Sequence, residues 1–177
     1  MSPLSRLTRR FLRREDGTAT VEFVIVFPII MVIFASAYEI GLANVRNVML
    51  ERATDLTVRE LRLNTGAPPT YAQVKQMICG AALIIPDCEN SLKLELRPVS
   101  TASWNWPPVE ADCMDRAANI NPLREWSNGQ QNELMMVRAC ATFDPMMPAF
   151  GLGAVMPKDN TGGYRLVAMS GFVNEPM

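Results

Sequence analysis

Two sets of residues carry chemistry that their neighbours do not account for. Four cysteines, Cys79, Cys88, Cys113 and Cys140, all follow a long apolar stretch, and two carboxyls, Glu22 and Glu39, flank the uncharged run 23–38 within it. An even set of cysteines in an oxidising compartment reads as two disulfides. A four-cysteine zinc site is the competing reading, but no pair has the close spacing that such sites prefer. Three pairings are possible. Cys79 with Cys88 and Cys113 with Cys140 is favoured, because the first pair brackets a short turn.

The chain contains no histidine. The commonest general base, the usual metal ligand and every Ser-His or Cys-His nucleophile arrangement are thereby removed. The sequence holds no phosphate-binding glycine loop, no serine elbow and no metal-ligand cluster, so neither catalytic residues nor a cofactor are assigned. Glu110, Asp112 and Asp115 form an acidic cluster that lacks the calcium-loop pattern and reads as a solvated face.

Charge is distributed unevenly. Arg6, Arg9, Arg10, Arg13 and Arg14 all lie in the first sixteen residues, together with Glu15 and Asp16; seventeen basic residues less these five leaves 12, and eighteen acidic less these two leaves 16. A mildly acidic remainder argues against nucleic acid as a partner, since phosphate binding needs clustered Lys and Arg. The basic start followed by an apolar run places the N-terminus in the cytoplasm by the positive-inside bias. The cysteine-bearing part is then periplasmic, where it can oxidise.

The carboxyls are positioned by the apolar stretch 17–45. Sixteen helical residues, 23–38, reach only about 24 Å, short of the roughly 30 Å hydrocarbon core, so a full span takes in at least one carboxyl. Such a group costs on the order of 2.5 to 3.5 kcal/mol in lipid unless it is paired or neutralised. Beyond the span the helical pattern continues, with Val45, Val48, Met49, Ala53, Leu56 and Leu63 near one face and Arg46, Glu51, Arg52, Asp55, Arg59 and Arg62 mostly elsewhere. Asp55 and Arg59 are spaced to pair. One helix from about Thr18 to Leu63 is predicted, bent at Pro28 and ended by Gly66, Pro68 and Pro69.

A basic leader closing in Gly17, then Thr18-Ala19-Thr20-Val21-Glu22-Phe23, then an apolar helix with Pro28, resembles the N-terminus of TadE/TadF-family minor pilins (pseudopilins) of the tight-adherence pilus system. The likeness covers about residues 10–45. It implies that a prepilin peptidase cuts between Gly17 and Thr18, leaving Glu22 as the fifth mature residue. It further implies that Glu22 is an assembly determinant, meeting the new α-amine of a neighbouring subunit. The implied partners are the inner membrane, the prepilin peptidase, other pilins and the pilus assembly platform. In the plain alternative Glu22 and Glu39 merely mark the two membrane interfaces, on an uncleaved, membrane-tethered periplasmic scaffold. Two other export readings carry less: Ala35-Ser36-Ala37 has the small-x-small form of a signal peptidase site, and Thr8-Arg9-Arg10-Phe11-Leu12 lacks one residue of the twin-arginine motif.

For the rest, Thr70 caps a helix over about 71–79 with Val74, Met77 and Ile78 inward and Gly80 as a stop. The segment 91–99 alternates Leu92, Leu94 and Leu96 against Lys93, Glu95 and Arg97, which predicts a half-buried strand. Leu134–Phe143 and Tyr164–Val173 read as two more strands. Two long irregular stretches, 101–132 and 144–163, carry Trp104, Trp106, Pro107, Pro108, Trp126, Met146, Met147 and Met156, as a docking surface or as core completed around Cys113. The expected architecture is α+β and pilin-like: a basic leader (1–17), a transmembrane helix (18–45), its periplasmic extension (46–65), and a small antiparallel sheet domain with a short helix and two disulfides (66–177).

Overall fold

A single helix, α1 (Thr18–Leu63), dominates the architecture. Its 46 residues make it about 69 Å long. The computed structural model describes residues 18–64, 66–104, 113 and 126–176; the leader with Gly17, Trp106, Pro107, Pro108 and the Glu110/Asp112/Asp115 cluster lie outside these. Pro28 sits inside α1 without ending it. After α1 come α2 (Tyr71–Ala81), α3 (Cys88–Ser91), β1 (Leu92–Pro98), β2 (Leu134–Phe143), α4 (Leu152–Val155) and β3 (Tyr164–Val173). The strands form an antiparallel sheet in the order β1-β2-β3. The expected long apolar helix followed by a small antiparallel sheet is the structure observed.

The core lies between one face of this sheet and the helices. Register puts Leu92, Leu94 and Leu96 of β1 on the same side as Val137, Ala139, Ala141 and Phe143 of β2 and Tyr164, Ala168 and Phe172 of β3. These pack with Leu50, Ala53, Val58 and Leu61 of α1 and Val74 and Ile78 of α2. The C-terminal half of α1 is therefore a structural wall of the sheet domain.

That wall is not the face the apolar spacing indicates. Val45, Val48, Leu56 and Leu63 are exposed, whereas Leu50, Ala53, Thr54, Thr57, Val58 and Leu61 are buried. Threonine makes the difference: Thr54 Oγ1 donates to the carbonyl of Leu50 at 2.8 Å and Thr57 Oγ1 to that of Ala53 at 2.9 Å. With their hydroxyls satisfied by their own helix, both present methyl groups to the core. Asp55 and Arg59 do not pair, while Asn47 instead donates to Glu51 at 2.9 Å.

Thr70 and Gln73 form a reciprocal capping box at the start of α2, an arrangement in which the Ncap side chain alone is worth about 1 kcal/mol. The helix runs through Gly80 to Ala81, two residues past the expected end. Ala82 and Ile85 just beyond are buried in the core, and their burial offsets the roughly 1 kcal/mol cost of a helical glycine. Disulfides join Cys79 to Cys88 and Cys113 to Cys140, with Cα separations of 5.6 and 5.4 Å. The first ties the last turn of α2 to α3.

The second face of the sheet is not simply solvated. Lys93 is 2% exposed and Arg138 4% exposed, although alternation in β1 places Lys93 on the solvent side. Lys93 lies opposite Cys140 in the register, so the Cys113–Cys140 disulfide sits on this face. Arg138 Nε lies 3.3 Å from Glu95 Oε2. Trp126 belongs to the core side: it bridges to Leu96 at the edge of β1 and meets Tyr71 edge-on at 5.2 Å.

Candidate assembly site

The two carboxyls of α1 have opposite surroundings. Glu22 sits four residues into the helix, on a stretch where every residue from Ala19 to Phe34 is exposed. Among the described residues it forms no hydrogen bond or ion pair. Thr18, which the sequence pairs with Gly17 as a processing point, begins the helix.

Glu39 is fully buried. Its Oε2 accepts the backbone N–H of Met146 at 3.0 Å and of Met147 at 3.3 Å, and its Oε1 lies 3.2 Å from the Met146 nitrogen. One turn earlier, Ser36 Oγ accepts the N–H of Leu152 at 3.1 Å while donating to the carbonyl of Val32 at 2.8 Å. Ala35 is buried alongside. The β2–β3 connection is thus bonded to the helix at two levels, and Glu39 is a buried acceptor for loop backbone rather than a marker at an interface. The sequence reading placed Ser36 only in a cleavage motif and the loop only as a docking surface or core, and did not bring the two together. The signal was present in the chain: residues 145–157, Pro-Met-Met-Pro-Ala-Phe-Gly-Leu-Gly-Ala-Val-Met-Pro, carry no charge and are bounded by Asp144 and Lys158.

Further along, Arg46 joins α1 to the end of the sheet. Its Nη1 donates to the Tyr164 hydroxyl at 2.8 Å, and its guanidinium lies 5.0 Å from the Phe143 ring centroid. Phe143 and Tyr164 are themselves stacked at 5.8 Å. A cation over an aromatic face contributes about 0.5 to 2 kcal/mol, depending on desolvation. On the opposite side of the helix, Val48, Glu51, Arg52, Asp55, Leu56 and Arg59 line a shallow exposed groove. Two apolar side chains, Val48 and Leu56, lie there among four charged ones.

The site therefore offers no reacting constellation. Among the described residues no group of three or more His, Cys, Asp or Glu is placed to hold a metal. It offers a helix with one covered and one uncovered half. α1 is also the one helix among the described residues long and apolar enough to cross a membrane.

Comparison with known proteins places a likeness on this helix. A family model described as TadE-like protein matches residues 17–59, which takes in the bare half of α1, Glu22, Glu39 and most of the wall that α1 gives the sheet domain. No curated protein and no solved structure matches the chain. Over residues 17–59 the chain is thus similar to TadE-like proteins, a likeness consistent with a pilin of the tight-adherence system.

Proposed function

We propose that this chain is a minor pilin of the tight-adherence pilus, acting in assembly by lateral packing of α1 and periplasmic docking of the sheet domain, and not as an enzyme. The observation that carries the reading is the uncovered N-terminal half of α1 with an exposed carboxyl at Glu22. An acidic group on a lipid-facing helix is retained where a partner neutralises it. Cleavage after Gly17 would create that partner, an α-amine at Thr18 on a companion subunit, five residues before its own glutamate by inclusive count. The exposed stripe of Val45, Val48 and Leu56 extends the packing surface beyond the membrane.

In this reading residues 1–17 are a cytoplasmic leader, 18–45 the inner-membrane span, 46–65 its periplasmic extension and 66–177 the periplasmic domain. The arginines of the leader support that orientation, and so do two disulfides, which persist in an oxidising compartment. The prepilin peptidase, other pilins and the assembly platform are the partners.

N-terminal sequencing of protein isolated from its native membrane tests the processing step. The expected mature start is Thr18, and Gly17→Trp should leave the leader in place and stop pilus formation without preventing insertion. An intact leader on the wild-type protein would replace this reading with that of a tethered scaffold, and a start at Tyr38 with that of a secreted domain.

A further inference from the structure

The loop bonded to Ser36 and Glu39 touches α1 at a height that has a consequence for lipid. Any span that contains the uncharged run 23–38 also contains Val32 and Ser36. A Cβ at Gly151 would lie 2.7 Å from Ser36 Oγ and 3.6 Å from the Val32 carbonyl oxygen, so the loop backbone lies directly against this part of the helix. If twenty residues from Thr18 cross about 30 Å, Val32 lies roughly 7 Å inside the outer boundary. We infer that residues 145–157 form a second membrane element, dipping beside α1 into the outer leaflet of the bilayer that α1 crosses. This inference rests on α1 being a membrane span.

Three features of the loop fit lipid as its occupant. Its outward side chains are apolar: Met146 is 56%, Phe150 49% and Val155 78% exposed. Charge begins only at its two ends, Asp144 and Lys158. Lys158 Nζ donates to the carbonyl of Pro148 at 3.2 Å, so this end charge is held by a backbone acceptor of the loop. Tyr38, half-exposed on α1 at the same end of the run, is the kind of residue found where hydrocarbon meets headgroups.

The backbone is the harder requirement. Irregular chain at membrane depth is tolerated only where its polar groups are satisfied within the protein. Here the N–H groups of Met146, Met147 and Leu152 are taken by Glu39 and Ser36. Those of Ala154 and Met156 go to the carbonyls of Gly151 and Leu152. The polar residues in the outer part of the apolar helix thus take three of the loop's N–H groups. Two glycines allow the close fit: Gly151 has φ +64° against Ser36, and a Cβ on Gly153 would meet the Met147 carbonyl at 2.5 Å.

The test is a depth measurement on the full-length protein in liposomes of phosphatidylethanolamine and phosphatidylglycerol. Spin labels are placed singly at Phe150→Cys, Ile30→Cys and Leu83→Cys, with the native disulfides left oxidised, and oxygen is compared with a water-soluble nickel chelate as relaxing agent. Position 150 should resemble Ile30, with oxygen at least several-fold more effective than nickel, while Leu83, far out on the domain, should show the reverse. Glu39→Leu should turn position 150 toward nickel and leave Ile30 unchanged, and Glu39→Gln, which keeps a carbonyl acceptor, should retain most of the lipid signature. Nickel access at 150 equal to that at Leu83, with Ile30 still in lipid, would overturn the inference and keep the anchor. Nickel access at Ile30 as well would remove the span itself and the inference with it. Protection of 150 from both reagents, with dipolar broadening that grows with protein density, would show a protein neighbour in place of lipid and also overturn it.

Discussion

The two halves of α1 are built from similar apolar residues and do opposite jobs. From Ala19 to Phe34 every residue is exposed; beyond it Ala35 and Glu39 are buried beside the β2–β3 loop, and from Leu50 to Leu61 the helix buries a face against the sheet domain. The difference is not hydrophobicity, since the bare half is the more apolar. It lies in what each half meets: the covered half is a component of the domain, and the bare half meets no other element among the described residues. A helix more apolar where it is uncovered than where it is packed has the composition of one whose outside is lipid or other helices. The same contrast separates the carboxyls, one enclosed by backbone donors and the other exposed, with no bond among the described residues.

The sharpest way to break this contrast is at Glu22. Glu22→Ala should abolish pilus formation while the thermal unfolding of the sheet domain stays at the wild-type midpoint. Fibres at the normal level, counted by electron microscopy, would mean that the exposed carboxyl is not an assembly determinant. Next in size is a pair of substitutions two residues apart. Leu50→Ala should destabilise the domain by about 2 to 5 kcal/mol in urea titration, the range for a buried leucine. Val48→Ala, at a position 58% exposed, should shift stability by less than about 0.5 kcal/mol and lower co-isolation with pilus components. If Val48→Ala unfolds the domain instead, the division of α1 into a wall and a packing stripe is wrong.

The smallest effect belongs to α2, on the covered side. Burial pushes the Lys75 ammonium below its ordinary value of 10.5, with Glu89 drawing it part of the way back. In the window between the folded value and 10.5 the unfolded chain binds more protons, so stability rises as pH climbs through it, and the penalty is present in full at lower pH. Lys75→Gln should remove this rise, which urea midpoints measured either side of that window on wild type and variant would detect. An identical pH dependence in the two proteins would contradict it.

Most of the architecture was legible from the chain. The ends of α1 follow from where the apolar run begins and from Gly66, Pro68 and Pro69, and the three strands follow from alternation bounded by turn residues. What sequence reasoning missed had one cause, which is that polar residues can be buried when something satisfies them. Thr54 and Thr57 bond to their own helix and so rotate the buried face of α1 away from Val45, Val48 and Leu56. Lys93 and Arg138 are buried on the sheet face that carries the Cys113–Cys140 disulfide. Glu39 and Ser36 looked like a boundary and a cleavage motif, because their partners are backbone groups more than a hundred residues away. Such partners leave no mark in local periodicity. Only the uncharged stretch 145–157 hinted at them.

The seating of Leu50, Ala53, Val58 and Leu61 in the domain core has a mechanical side. Rod and head are fused, so the tail of α1 cannot swivel beneath the sheet. A pull along the helix axis, such as extraction of a subunit from the bilayer would exert, reaches the sheet as shear across a packed wall instead of being absorbed in a tether. The load is spread over about three turns of side chains and clamped near the sheet's end by Arg46, so the head travels with the rod as one stiff piece.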